Sequence, residues 1–208
     1  MFVPLWRFAC LLLGATLPWL VDYRVHGREH IPPRGGVLVV CNHVGDIDPP
    51  FVGFACHPRP AQYMALAKHF TRLPLALLLF GLGAFPVRTG EPDTRALRYA
   101  RDRLERGRLV IIFPEGGPLW GAPLGAFQEG AGLLALTPGV TVVPAAITGT
   151  ERVMRGWRVV GRGPVHVTFG PPVEVPAEGP RRARAAEATE RARAAVAALL
   201  GDAGAPGA

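Results

Sequence analysis

The sequence predicts an α/β protein, and three observations carry that prediction. Short apolar runs at residues 37–41 (VLVVC), 109–113 (LVIIF) and 140–147 (VTVVPAAI) have the length and β-branched composition of strands buried on both faces. Stretches of helical length and pattern separate them, which is the alternation of an α/β fold. The first two runs also end in polar loops, Asn42-His43 and Pro114-Glu115-Gly116-Gly117, so several strand ends feed one face.

The elements follow in order. The first 21 residues, MFVPLWRFACLLLGATLPWLV, are apolar apart from Arg7 and Thr16. A helix over residues 5–21 would be roughly 25 Å long at 1.5 Å per residue, slightly short of a bilayer core. No small-x-small cleavage site follows, Trp6 and Trp19 flank the run, and Pro18 is expected to bend or end it. Residues 1–22 are therefore expected to be a retained anchor, single-span or monotopic, at the cytoplasmic face of the cell membrane. Residues 21–26 alternate as an edge strand would. The 37–41 strand stops at Asn42-His43, and Asp48-Pro49-Pro50 reads as a helix start with Asp48 at the N-cap. LPLALLLFGL (residues 73–82) is too short to span a bilayer and is expected as a buried helix. Residues 84–87 form a short strand ending at Arg88. Asp93 caps a helix with Leu97, Ala100 and Leu104 on one face, five arginines on the other, and Gly107 at its close. Residues 130–136 read as a helix, the 140–147 strand is broken at Pro144, and 165–169 alternates with His166 outward. A last helix spans 181–200, supported by Glu187 with Arg191, and 201–208 is a disordered tail. Residues 23–200 form one α/β domain.

Bulk composition narrows the partners. The 208 residues are 49% hydrophobic with a net charge of +7, and Lys68 is the only lysine, so the excess is arginine. The pI is about 10.3 and the mean hydropathy +0.22. Such a balance suits anionic partners, a membrane surface among them. Nucleic acid is not expected: there is no zinc-finger spacing, no RNP-type aromatic strand and no basic-leucine heptad. Cys10, Cys41 and Cys56 lie in apolar settings without CxxC spacing, so neither a disulfide framework nor a metal site is expected.

The stretch from Gly36 to Pro50 carries the candidate chemistry. His43 follows a buried strand, and Asp48 lies close enough in sequence to hold the imidazole's tautomer and orientation. A His-Asp pair with no serine between lacks its own nucleophile; it suits deprotonation of a hydroxyl that arrives on a substrate.

Four strand-end segments, Asn42-His43-x4-Asp48, Gly83-Ala84-Phe85-Pro86-Val87-Arg88, Phe113-Pro114-Glu115-Gly116 and Val143-Pro144-Ala145-Ala146-Ile147, resemble in order and spacing the four motifs of the glycerolipid acyltransferase family. The resemblance runs from about Tyr23 to Val173. It implies a glycerol-3-phosphate acyltransferase-like fold: a central mixed, mostly parallel sheet flanked by helices, with an N-terminal membrane-associating helix. It implies transfer of an acyl group from an acyl-CoA or acyl carrier protein to a lysolipid hydroxyl in phospholipid biosynthesis, foremost the sn-2 hydroxyl of 1-acylglycerol-3-phosphate, with no cofactor. In that reading His43 takes the hydroxyl proton, Asp48 orients the ring, and no acyl-enzyme forms. Asn42, Arg88, Glu115, Gly116 and Gly117 would bind substrate, Arg88 through the acceptor's phosphate.

The chain departs from the family pattern where charge would meet a phosphate. Thr89 stands where the second motif usually has its arginine, Gly117-Pro118 where the third continues Thr-Arg-Ser, and Gln128 where a lysine is common. Another acceptor, with a diester, sugar or amino-acid head group, therefore stays open, and Trp120 is a candidate to line its site. A thioesterase, a metal-dependent enzyme using His43, Asp46 and Asp48, a non-catalytic membrane-binding relative, and Cys41 as nucleophile are the competing readings. The metal reading has no second histidine at ligand spacing, and Cys41 sits in an apolar strand.

Overall fold

The computed structural model describes residues 3–88, 93–120, 122–155 and 158–203. At its centre is the strand Gly36–Cys41 (β2), buried at every residue. Its side chains alternate between two cores, with Val37, Val39 and Cys41 in one and Leu38 and Val40 in the other. A strand covered on both faces needs no polar side, which is why the run reads as uninterrupted apolar sequence.

The strands Leu109–Ile112 (β5) and Val140–Thr148 (β6) flank β2 and run parallel to it. Beyond β5 lie Ala61–Leu66 (β3) and Ala84–Val87 (β4), parallel again. Beyond β6 lies Pro164–Phe169 (β9), antiparallel to it, and then the edge strand Asp22–His26 (β1), parallel to β9. The seven-stranded sheet is thus mixed and mostly parallel, in the order β1-β9-β6-β2-β5-β3-β4. Met154–Arg155 (β7) and Arg158–Val159 (β8) form a separate short antiparallel ribbon.

The helix Asp48–Ala55 (α2) covers one face through Phe51 and Val52. Thr94–Glu105 (α4), Gly130–Ala135 (α5) and Arg181–Ala203 (α7) cover the other through Ala96, Ala100, Leu104, Leu134, Ala188 and Ala192. Asp93 caps α4 by accepting the Arg95 and Ala96 N–H groups at 3.0 and 3.1 Å. The close approach of α5 to α7 requires Gly132, because the Ala185 carbonyl oxygen occupies the space a Cβ would take. Thr150–Val153 (α6) follows β6 directly.

Several expectations are corrected. Pro144 does not break β6. The ladder with β9 ends with Phe169 opposite Ala145, so the missing N–H falls beyond it, while the Pro144 carbonyl accepts Gly170 N–H at 2.9 Å. The helix Leu73–Gly81 (α3) is not buried throughout: Ala76 and Leu79 face the domain, while Leu73, Leu77, Leu78 and Phe80 are exposed. The helix Val3–Leu20 (α1) continues past Pro18. Its Trp6, expected at an interface, is instead buried and stacks on His57, while Trp19 is 81% exposed. Leu5 of α1 packs against Gly81 of α3. Among the described residues no helix is long and apolar enough to cross a membrane. Asp48 is the first residue of α2, not its N-cap; Ile47 takes that position without a side-chain bond. Helix α7 runs three residues beyond the expected end, to Ala203, while residues 204–208 and Thr89 lie outside the described residues. Lys68 is exposed on a 3-10 turn, Ala67–Phe70, that leads to α3.

Candidate active site

Because β6, β2 and β5 are adjacent and parallel, their carboxyl ends deliver residues 42–48, 113–117 and 147–150 to one edge of the sheet. Asn42 follows β2 and is 2% exposed. Its amide donates to the Ile147 carbonyl at 2.9 Å and accepts Ile147 N–H at 2.8 Å, so a side chain continues the β2–β6 ladder past its last backbone pair.

His43 comes next. Its Nδ1 lies 2.8 Å from Asp48 Oδ2. That oxygen also accepts the Val44 and Gly45 N–H groups at 2.7 and 2.8 Å. An oxygen collecting N–H donors is an acceptor, so Nδ1 carries the proton and the neutral ring presents a lone pair at Nε2. Nε2 has no hydrogen-bond partner among the described residues. The ring leans on Phe113, with centroids 4.6 Å apart. Asp48 is fully buried, and its Oδ1 accepts the hydroxyl of Thr150, itself fully buried.

Glu115, from the loop after β5, accepts His43 N–H through Oε2 at 2.6 Å and Gly125 N–H through Oε1 at 3.0 Å. One carboxylate therefore clamps the histidine's backbone to the far limb of its own loop, and Leu119 N–H donates to the His43 carbonyl at 2.8 Å. Gly116 adopts φ 82°, a left-handed conformation that favours glycine, with the end of the Gln128 side chain beside it, while Gly117 is open. His43, Asp48, Glu115 and Gly116 are thus brought together. Arg88 is not among them. It is exposed at the end of β4, three strands from β2, or roughly 14 Å at the usual strand spacing.

A cavity of about 390 Å³ opens over this edge. Among the described residues its wall includes Asn42, His43, Glu115, Leu119, Leu124 and Leu200, and no serine, cysteine, lysine or arginine. Trp120 is not part of it; the residue sits at φ 50° with its indole half exposed. Burial pushes the Cys41 thiol well above its ordinary range and Cys56 up to about 12, so both stay protonated near neutrality. Among the described residues no group of three or more His, Cys, Asp or Glu side chains is placed to hold a metal ion.

Two contributions escaped the sequence reading. Thr150 is 102 residues from Asp48, and only its place just past a central strand end hinted at this edge. The end of α7 lines the cavity through Ala197 and Leu200 of the expected helix and through Gly201, which was expected to begin a disordered tail.

A family model described as Acyltransferase matches residues 22–148, and the chain belongs to that family. It is an O-acyltransferase, with an acyl donor and an acceptor as its substrates. Among curated relatives, a Bacillus subtilis 1-acyl-sn-glycerol-3-phosphate acyltransferase is 26% identical over 170 residues, covering 81% of this chain and 82% of that protein. A Streptococcus pneumoniae protein of the same name is 28% identical, with 78% of this chain and 61% of that protein aligned. A Pseudomonas aeruginosa lyso-ornithine lipid O-acyltransferase is 32% identical over 203 residues, covering 86% and 73%. A crystal structure of the Thermotoga maritima 1-acyl-sn-glycerophosphate acyltransferase superposes with a TM-score of 0.78 at 22% identity, over 98% of this chain and 81% of that one. At that identity the likeness speaks for the fold.

Proposed function

We propose that the protein transfers a fatty acyl group from an acyl-CoA or acyl carrier protein thioester to a lysolipid hydroxyl, with His43 as general base. The carrying observation is the imidazole whose Nδ1–H is held on Asp48 and whose Nε2, among the described residues, has no partner in a cavity that they line without a nucleophile. His43 Nε2 takes the acceptor's hydroxyl proton as the oxygen attacks the thioester carbonyl. The C–S bond breaks, and the thiolate leaves with the proton returned by His43. Glu115 holds the histidine's backbone and one rim of the cavity. Asn42 keeps the strand end in place, and Arg88 stands ready for an acceptor that reaches past β3.

The acceptor foremost in this reading is the sn-2 hydroxyl of 1-acylglycerol-3-phosphate, supported by the names of several relatives. A second reading has an observation of its own. Among the described residues the cavity wall carries no cation to pair with a phosphate monoester, and the relative named for a lyso-ornithine lipid shares 32% identity. Association with the membrane surface is proposed for the exposed apolar sides of α1 and α3.

The test is labelled palmitoyl-CoA or palmitoyl carrier protein offered with a panel of lysolipids and with none, products read by mass spectrometry. Acyl transfer to one lysolipid is expected, with a fall of about 10²–10⁴-fold in His43→Ala. Free fatty acid without acceptor product would make the protein a thioesterase. Wild-type turnover in His43→Ala would refute the base.

A further inference from the structure

We propose that Thr150 is a positioning residue for the acyl transfer, its hydroxyl fixing the Asp48 carboxylate in the orientation that receives His43 Nδ1–H. This rests on His43 being the base. The two oxygens of Asp48 are held unequally. Oδ2 collects three N–H donors, from the His43 ring, Val44 and Gly45. Oδ1 has the Thr150 hydroxyl as its one hydrogen-bond donor among the described residues. Asp48 and Thr150 are both fully buried, so bulk solvent does not reach that oxygen. A carboxylate turns readily about its last bond. With Oδ1 unpaired in a buried site, rotation would relieve it and loosen the grip on the imidazole.

The backbone around Thr150 is built to hold it there. Gly149 adopts φ 91°, with the Pro164 carbonyl oxygen where a Cβ would stand. Across the contact the hydroxyl lies directly against the turn at Gly45: a Cβ there would meet Thr150 Oγ1 at 3.4 Å, an ordinary van der Waals distance. The end of β6 therefore grips the His43 loop twice, at Asn42 through Ile147 and at Asp48 through Thr150. The first bond sets where the loop leaves the sheet. The second reaches the reacting pair.

The test compares Thr150→Val, which keeps shape and removes the hydroxyl, with Thr150→Ser, which keeps the hydroxyl, each shown folded by circular dichroism. Thr150→Ala replaces the valine variant if that one does not fold. The hydroxyl-free variant is expected to lose about 10- to 100-fold in kcat, as for a lost hydrogen bond to a charged group. KM for both substrates should stay within about twofold, and Thr150→Ser should keep most of the rate. Added to His43→Ala, the Thr150 change should cost nothing more, because there is no ring left to orient. Unchanged kcat in the hydroxyl-free variants, equal losses in Ser and Val, or full additivity with His43→Ala would each overturn the proposal. Wild-type turnover in His43→Ala alone would instead remove the base reading beneath it.

Discussion

Asn42 spends a whole side-chain amide on the peptide of one residue, Ile147, and is buried while doing so. Asn42→Ala would leave a buried N–H and a buried C=O without partners, at about 1–3 kcal/mol for each group. Urea unfolding should register that loss as a lower midpoint with unchanged slope, and turnover should fall with it because His43 is the next residue. What was legible at this scale follows from distance along the chain. His43 and Asp48 share one loop, so their spacing showed in the sequence, and Glu115 stood out as the polar residue of a second strand-end loop. Thr150 did not, because a hydroxyl after a strand looks like any helix-start threonine until β6 is placed beside β2. Arg88 shows the converse. Its motif was legible, but strand order sets its distance from His43, and strand order is not written in any single segment.

At the scale of elements, α1 and α3 touch through Leu5 and Gly81, and each leaves large apolar side chains uncovered. Phe8, Leu11 and Trp19 are exposed on the first, Leu73, Leu77, Leu78 and Phe80 on the second. With Arg7, Lys68 and Arg72 exposed nearby in sequence, this composition suits anionic lipid. Phe8→Glu with Leu77→Glu should reduce co-flotation with anionic vesicles and slow acylation of a vesicle-borne lysolipid, while a dispersed short-chain acceptor is acylated as before. Equal vesicle binding by the double variant would count against this surface. The central strands were legible because burial on both faces leaves an unbroken apolar run. The character of α3 was not: nine residues apolar all round give no periodicity to say which side the domain covers. Pro144 misled for a related reason. A proline weakens a strand by losing one N–H, and whether that N–H was needed depends on where β9 ends.

Across the whole molecule, the core stores protonated thiols. Cys41 and Cys56 are buried, and burial raises both, Cys56 from an ordinary 9.0 to about 12. The folded chain therefore keeps thiol protons that the unfolded chain gives up above about pH 9. Fewer protons on the unfolded state mean that stability falls as pH rises. The Cys56 contribution is whole below pH 9 and is lost between about pH 9 and 12, at no more than about 1.4 kcal/mol per pH unit, and Cys41 adds to the fall in the same direction. Urea midpoints from pH 8 to 11 should drop more steeply in the wild type than in Cys56→Ala, and parallel slopes would contradict the burial. The same seclusion makes the lysine the outward side-chain handle for amine or thiol chemistry among the described residues. The three cysteines are buried, while the single lysine stands in the open just ahead of the leucine-rich side of α3. An environment-sensitive dye coupled to the Lys68 amine would brighten as that side meets lipid, giving an optical titration of docking without any engineered attachment point.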